Sequence, residues 1–268
     1  MKTIDKCMRV LQAFSFDKTE LGLTELSKLS GLDKAATRRI LIALIAHDFI
    51  EQNPKNRQYF LGSGFLRLAK VREATLSIED IIQSSLDSLT QLTNETSHAS
   101  LLRLNQLQTA RISFPARSSR IHLEDDEILP FHATSSGLTF LSFAEDAPER
   151  FLSEQLPSYT RDTILSQETI LKEIEKIQLQ GFGIGLNGYE DDVTGIAVPI
   201  FDANQSVIGT LAVATPTSRF SDDLITDFSQ ALFKETQIIT QTLGGTVPEH
   251  YATLFDQKSK SDTEEEYK

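Results

Sequence analysis

Two short helical segments that meet at a glycine are the feature that most constrains the fold of this chain. Thr24 can cap the first segment through its side-chain oxygen, and Gly31 can end it in the left-handed conformation that glycine readily adopts. Asp33 can then cap a second helix, from about Lys34 to His47. Two helices joined by a tight turn at a glycine predict a helix-turn-helix motif.

The second helix of this pair has the side chains of a recognition helix. Such a helix places its N-terminal residues against base edges in the major groove of DNA. Here Ala35 and Ala36 can bring methyl groups to thymine, and Arg38 can reach a guanine edge or a phosphate. We expect Arg39 to contact a phosphate or a neighbouring acid instead. An amphipathic helix with a solvated basic face that binds no DNA is the alternative.

A basic hairpin is predicted directly after this helix. Residues 49–51 and 58–61 have the pattern of strands around the turn 53–56, which asparagine and proline favour. Lys55 and Arg57 near its tip suit the phosphate backbone, as in the wing of a DNA-binding domain. The full set of predicted DNA-contacting residues is Thr24, Lys34, Ala35, Ala36, Thr37, Arg38, Arg39, Lys55 and Arg57.

The charge distribution indicates two parts with different partners. Residues 1–73 carry 13 Lys and Arg against 8 Asp and Glu, although the whole chain has a formal net charge of -12. A small basic part on an acidic body suits a nucleic-acid partner, because phosphate neutralisation dominates that affinity. An uneven surface charge without functional meaning is the alternative.

Composition favours a cytoplasmic protein without a membrane segment. Apolar residues make up 40% of the chain, but no apolar run approaches the roughly 20 residues that a membrane helix needs. Cys7 is the only cysteine, which excludes an internal disulfide and a cysteine-based zinc site. The five histidines lack metal-ligand spacing beside a third ligand, so we predict neither a metal nor another cofactor.

The rest of the chain predicts an α+β domain with an antiparallel sheet flanked by helices. A linker helix is expected over about 62–73, and a second apolar helical stripe runs from Ile78 to Leu92. Hairpin-connected strands and further helices follow. The predicted organisation is a DNA-binding domain with the start of the linker helix over 1–74, a second domain of this α+β class over 75–248 and an acidic, disordered tail over 249–268.

Several of these segments resemble the IclR family of transcriptional regulators. The resemblance lies in the runs LTELSKLSGL, RRILIAL and YFLG, and later in ILPFHATSSGLTFLSF and GIAVPIFDANQSVIGTLAVATP. It covers about residues 4–244. It implies a winged helix-turn-helix joined to a GAF-like effector-binding domain, and homodimers that often pair into tetramers.

The segment around Ser135 is the predicted effector site. Residues 135–137 precede a helix expected over 138–143, so their backbone N–H groups point to one place, which suits an anion or a carbonyl oxygen. The resemblance implies that this loop lines the effector pocket together with positions on other elements. The predicted effector-contacting residues are Thr134, Ser135, Ser136, Gly137, Gly185, Gly195, Ala212 and Ala214.

At four of these positions, namely Gly185, Gly195, Ala212 and Ala214, the resemblance implies polar side chains in relatives that bind small oxo-acids. We expect the small residues to enlarge the pocket and make it less polar, which favours a partly apolar organic acid or an aromatic metabolite. Alternatively, they only pack between sheet and helix. The carboxylates of GYEDD, residues 188–192, could form an acid pair or bind a cation, but we expect a solvated loop.

Catalytic motifs are weak in this chain. GFGIGLNG, residues 181–188, follows a predicted helix rather than a strand and lacks the G-x-G-x-x-G spacing of a dinucleotide loop. TSSG, residues 134–137, lacks the pattern G-x-S-x-G of a nucleophile elbow.

The predicted function is therefore that of a ligand-responsive transcriptional regulator and not of an enzyme. Homodimers, or dimers of dimers, are expected to bind a palindromic operator in double-stranded DNA. A small-molecule effector would control a catabolic operon, and the resemblance implies repression. The alternative is a metabolite-binding enzyme with a GAF-like domain and a protein-binding winged helix.

Overall fold

The computed structural model describes residues 3–15, 17–75, 77–153 and 155–255. The chain divides into two compact units, residues 1–77 and 78–268. The division thus falls at residue 77, close to the predicted domain boundary at residue 74. Across the described ranges, every helix is too short or too polar to cross a membrane.

The N-terminal unit contains three helices, a hairpin and a further helix: α1 (Thr3–Leu11), α2 (Leu23–Ser30), α3 (Lys34–Ala46), β1 (Ile50–Gln52), β2 (Tyr59–Leu61) and α4 (Gly64–Glu73). The predicted turn between α2 and α3 is confirmed. Gly31 has a φ of 63°, and the Asp33 side chain accepts a hydrogen bond of 2.7 Å from the Ala36 N–H. The predicted cap at Thr24 is wrong, because α2 begins one residue earlier with Gly22 as its N-cap.

A small apolar core holds this unit together. Its buried members are Val10, Leu21, Leu26, Leu41, Leu44 and Ile50. Leu21 also exchanges two backbone hydrogen bonds with Tyr59 of β2, of 2.9 and 2.8 Å, so the segment before α2 extends the hairpin. The hairpin is thereby attached to the helices at a defined position.

The C-terminal unit is built on one antiparallel sheet, as predicted for an α+β fold. Its strands follow the order β5-β4-β3-β8-β7-β6. The strands are β3 (Thr96–Arg103), β4 (Gln106–Ser113), β5 (Ile128–Leu129), β6 (Gly183–Leu186), β7 (Val193–Phe201) and β8 (Val207–Pro216). The helices are α5 (Ile78–Thr93), α6 (Ser135–Phe143), α7 (Ala147–Phe151), α8 (Gln167–Gln180) and α9 (Asp222–Thr242).

The two faces of this sheet differ in chemistry, since side chains alternate along each strand. One face is apolar and packs against α5 and α9 with Ala99, Leu101, Ile196, Val198, Leu211 and Val213. The other face lies beneath α6 and carries small or polar residues: His98, Ser100, Gly195, Ala197, Thr210 and Ala212. At the end of the sheet near the start of α6, small and polar side chains therefore form a surface that α6 contacts closely.

The prediction of a disordered tail over residues 249–268 is wrong for its first seven residues. Residues 249–255 are helical, and the Tyr251 side chain is fully buried. Its hydroxyl donates a hydrogen bond of 2.9 Å to the carbonyl of Gly181, and its ring meets Phe143 and Phe201 edge-on. This apolar contact orders the segment despite the acidic residues that follow. Residues 256–268, the remainder of the predicted tail, lie outside the described residues.

Candidate DNA interface and effector pocket

The first turns of α3 present a basic and sterically open surface. Lys34, Ala35, Arg38 and Arg39 are exposed, and Ala36 is half-buried. Positive charge and small side chains thus stand side by side at the helix start. This combination allows a close approach to a phosphate backbone and to base edges.

Thr37 does not belong to this surface. Its side chain is fully buried, and its hydroxyl donates a hydrogen bond of 2.9 Å to the Asp33 carbonyl. Leu41 and Leu44, four and seven residues further along, share its buried helix face. The prediction of a DNA contact by the Thr37 side chain is therefore wrong, because helical spacing directs that side chain into the core.

The wing tip is shaped by side-chain hydrogen bonds to its own backbone. The Asn53 carboxamide oxygen accepts a hydrogen bond of 3.0 Å from the Lys55 N–H. Arg57 adopts a φ of 61°, and Asn56 donates a hydrogen bond of 2.9 Å to the carboxylate of Glu20. Lys55 and Arg57 remain exposed, so both predicted phosphate-contacting side chains lie at the tip of an ordered turn.

A cavity of about 60 Å³ lies at the N-terminus of α6. Strands β3, β6, β7 and β8 form its floor, and the segments on either side of β5 and between β6 and β7 form its walls. The lining residues are His98, Leu123, Leu129, Ala133, Thr134, Ser135, Ser136, Gly185, Gly188, Tyr189, Glu190, Val193, Gly195 and Ala214.

Six of the eight predicted effector residues line this cavity, and two do not. Gly137 faces the backbone of residues 130 and 131, and its N–H donates a hydrogen bond of 2.9 Å to the Thr134 hydroxyl. Ala212 is fully buried between Ala197 and His98 of the neighbouring strands. The predicted roles of Gly137 and Ala212 in the pocket lining are therefore wrong.

Gly185 and Gly195, the two predicted glycines of the lining, do not enlarge the pocket. A Cβ atom at Gly185 would stand 2.7 Å from the backbone nitrogen of Ser135, and one at Gly195 would stand 2.5 Å from the Ser135 hydroxyl. Ser135 therefore fills the space that both glycines leave. The expectation of a larger cavity is wrong, and the alternative that these small residues pack between sheet and helix is correct for Gly185 and Gly195.

His98 is a pocket residue that the sequence reasoning missed. It is 6% exposed, and its Nε2 atom lies 3.4 Å from the Ser136 hydroxyl oxygen. Burial lowers the pKa of the imidazole to about 4, so the ring is neutral at neutral pH. The signal that could have revealed it is the alternation of the predicted strand HASLLRL, with His98 two residues before Ser100 on one sheet face.

The segment between β6 and β7 closes one side of the pocket. The Tyr189 hydroxyl donates a hydrogen bond of 3.1 Å to the Glu127 carboxylate. Burial and the nearby Glu127 charge raise the pKa of Tyr189 to about 12, and the same two causes raise the pKa of Glu190. GYEDD was expected to be a solvated loop, but Gly188, Tyr189 and Glu190 line the cavity.

Family models of known proteins match both units of the chain. The family model described as the bacterial transcriptional regulator IclR C-terminal matches residues 73–241, and the IclR helix-turn-helix domain matches residues 3–54. The crystal structure of an IclR-type protein from Silicibacter sp. TM1040 is 34% identical to this chain. It has a TM-score of 0.86, and the match covers 93% of this chain and 99% of that one.

Two more distant relatives were also matched over most of their length. The HTH-type transcriptional regulator XynR from Escherichia coli (strain K12) is 26% identical over 254 residues, which cover 91% of this chain and 98% of XynR. An IclR homolog from Microbacterium hydrocarbonoxydans, crystallised with 4-hydroxybenzoate, is 20% identical, with a TM-score of 0.56 and coverage of 90% and 99%; this last likeness shows the fold alone. The chain belongs to the IclR family of bacterial transcriptional regulators.

Proposed function

We propose that this regulator represses a catabolic operon in the cytoplasm until a small organic acid or an aromatic metabolite binds to it. The observation that carries the proposal is the exposed start of α3. Lys34 and Arg38 stand there beside Ala35, and neither cation forms an ion pair with an acidic side chain of the described ranges. Unpaired cations at a recognition helix are available to phosphates and guanine edges.

The operator would be a palindrome read by two copies of α3. A dimer places its recognition helices in successive major grooves, so its half-sites lie about one helical turn apart. Lys55 and Arg57 of the wing would add phosphate contacts, which position the protein without reading sequence. The family resemblance supports a further pairing of dimers into tetramers.

The effector would bind in the cavity at the start of α6. Leu123, Leu129 and Val193 give the cavity an apolar wall, which suits a hydrocarbon or aromatic skeleton. The N–H groups of Ser135 and Ser136 begin α6 and suit the charged end of an acid. The 4-hydroxybenzoate bound by the Microbacterium relative has both kinds of group.

Effector binding would reach the DNA-binding unit through α4 and α5, which connect the two units in sequence. An effector changes DNA affinity only if it binds one arrangement of the protein more tightly than another. The coupling is reciprocal, so operator DNA must also change the affinity for the effector.

A gel-shift titration tests this proposal. The full chain is titrated against the DNA upstream of its own gene and of the adjacent genes, with unrelated DNA of equal length as control. Specific binding that falls on addition of an organic acid is the expected result. Specific binding that rises with the acid contradicts repression, and the absence of any specific binding favours the alternative of a protein-binding winged helix.

A further inference from the structure

The contact between His98 and Ser136 determines which hydrogen-bonding groups the effector pocket offers to a ligand. His98 is more than nine-tenths buried, lines the cavity and has a second ring nitrogen, Nδ1, without a partner in the described structure. Its Nε2 atom lies 3.4 Å from the Ser136 hydroxyl, for which the described residues provide no other partner. The N-terminus of α6 and a buried polar ring thus converge on one point.

The unpartnered Nδ1 atom determines where the single proton of the neutral ring lies. A buried N–H group without an acceptor is rarer in proteins than a buried acceptor without a donor. The proton is therefore assigned to Nε2, which leaves the lone pair on Nδ1. In this tautomer Nε2–H donates to the Ser136 oxygen.

The Ser136 hydroxyl must then donate its own hydrogen elsewhere. A hydroxyl has one hydrogen and two lone pairs, and the contact with His98 uses a lone pair. The hydrogen is free to point into the cavity, where the N–H groups of Ser135 and Ser136 also lie without helical acceptors. Three donors therefore belong to the two serines at the start of α6, and no lysine or arginine belongs to the described lining.

We propose that His98 is a positioning residue for effector specificity: by donating to Ser136 it keeps that hydroxyl a donor, so that the pocket selects a carboxylate over the corresponding amide. The amide has nearly the same shape, but its NH₂ group brings a donor to a place that offers only donors. The inference rests on the proposed function, because it concerns the same pocket.

The acidic groups at the pocket restrict the ligand further. Glu190 is the only carboxylate among the described lining residues, and Glu127 lies close enough to raise its pKa. Both would repel a second negative charge on the ligand. The class of effector is therefore a monocarboxylate on a compact, partly apolar skeleton.

Calorimetric titration of the full chain tests the assignment with three acid–amide pairs: lactate and lactamide, benzoate and benzamide, and 4-hydroxybenzoate and 4-hydroxybenzamide. The expected result is that at least one acid binds, and binds about tenfold or more tightly than its amide, because a hydrogen bond to a charged acceptor is stronger than one to a neutral group. A wild-type protein that binds no acid, or binds acid and amide alike, overturns the proposal.

Variants separate positioning from packing. His98→Phe keeps a ring but removes the donor, and should reduce the acid-over-amide preference to about twofold or less. His98→Gln carries an N–H donor at a similar distance from the backbone and should restore the preference. His122→Gln, at an exposed site outside the pocket, is the control.

Ser136→Ala gives a second route to the same answer without changing His98. Ser136→Ala should reduce the preference for the acid over its amide as much as His98→Phe does. Thermal unfolding without ligand shows whether each variant is folded. An unchanged preference in folded His98→Phe or in folded Ser136→Ala overturns the proposal. Specific operator binding by the wild-type chain is measured in parallel, so a failure of this inference is distinguishable from a failure of the proposed function.

Discussion

Arg219 donates two hydrogen bonds to the buried carboxylate of Glu95, one of 2.8 Å from Nε and one of 2.6 Å from Nη2. Arg117 adds a third contact to the same carboxylate, at 3.1 Å. Arg219 also donates a hydrogen bond of 3.1 Å to the carbonyl of Ser119. The segment between β4 and β5, which supplies Leu123 to the pocket, is thereby attached to the end of the sheet.

Arg219→Ala should lower the free energy of unfolding by about 3 kcal/mol, because removing one partner leaves a buried charge with poorer compensation. Arg161→Ala is the matched control, since the ion pair of Arg161 with Asp162 is exposed and should contribute less than about 1 kcal/mol. Urea unfolding measures both variants. Equal free energies of unfolding for the two variants would contradict the prediction, because they would show that the buried Glu95 carboxylate does not need Arg219.

Thr37→Val should affect stability but not DNA binding. Valine keeps the shape of the buried side chain and removes the hydrogen bond to the Asp33 carbonyl, at a cost of about 1 kcal/mol. Operator affinity, measured at a temperature where the variant is fully folded, should stay within about twofold of wild type. A larger loss of affinity would mean that the Thr37 side chain contacts DNA after all.

Gly185→Ala should destabilise the C-terminal unit by about 2 kcal/mol, because the new Cβ atom would meet the backbone nitrogen of Ser135 at 2.7 Å. Gly22→Ala provides the comparison, since a Cβ atom there has no described neighbour within 4 Å. Thermal unfolding of the two variants tests the packing of α6 on the sheet. A Gly185→Ala protein as stable as Gly22→Ala would contradict this close approach.

His98 should make the stability depend on pH. Its pKa falls from 6.5 to about 4 on folding, so the unfolded chain binds more protons between these values. The free energy of unfolding is therefore highest above pH 6.5. It decreases as the pH falls towards 4, by about 2 kcal/mol between pH 7.5 and 5. Urea unfolding at both pH values should show a smaller change for His98→Gln, and an equal change would assign the dependence to other groups.

Local chemistry made part of this structure predictable. Gly31 and Asp33 act within a few residues of themselves, so the turn and the start of α3 follow from residue type alone. The role of Thr37 could also have been derived from its helical spacing to Leu41 and Leu44. In contrast, Ser135 fills the space beside Gly185 because the fold brings together two segments that are about 50 residues apart. Residue type and local spacing contain no signal for that contact.

The same limit explains the misplaced tail. Acidic and polar residues near the C-terminus predicted disorder, yet Tyr251 finds an apolar site against Phe143 and Phe201, both far away in sequence. Burial of Tyr251 and Phe255 contributes to offsetting the conformational entropy that this segment loses when it becomes helical. Its partner, the Gly181 carbonyl, is available because α8 ends there.

The role of α3 in DNA binding is tested by the affinity of Lys34→Ala/Arg38→Ala for the operator at several salt concentrations, measured by fluorescence anisotropy. The control is Lys172→Ala/Lys176→Ala, which removes the same charge from α8. For the α3 variant we expect at least a tenfold loss of specific affinity and, because a dimer loses four cations, a salt slope lower by about two to four units. The control should change little. Equal operator affinities for the two double variants would contradict the assignment of α3 as the DNA-binding helix.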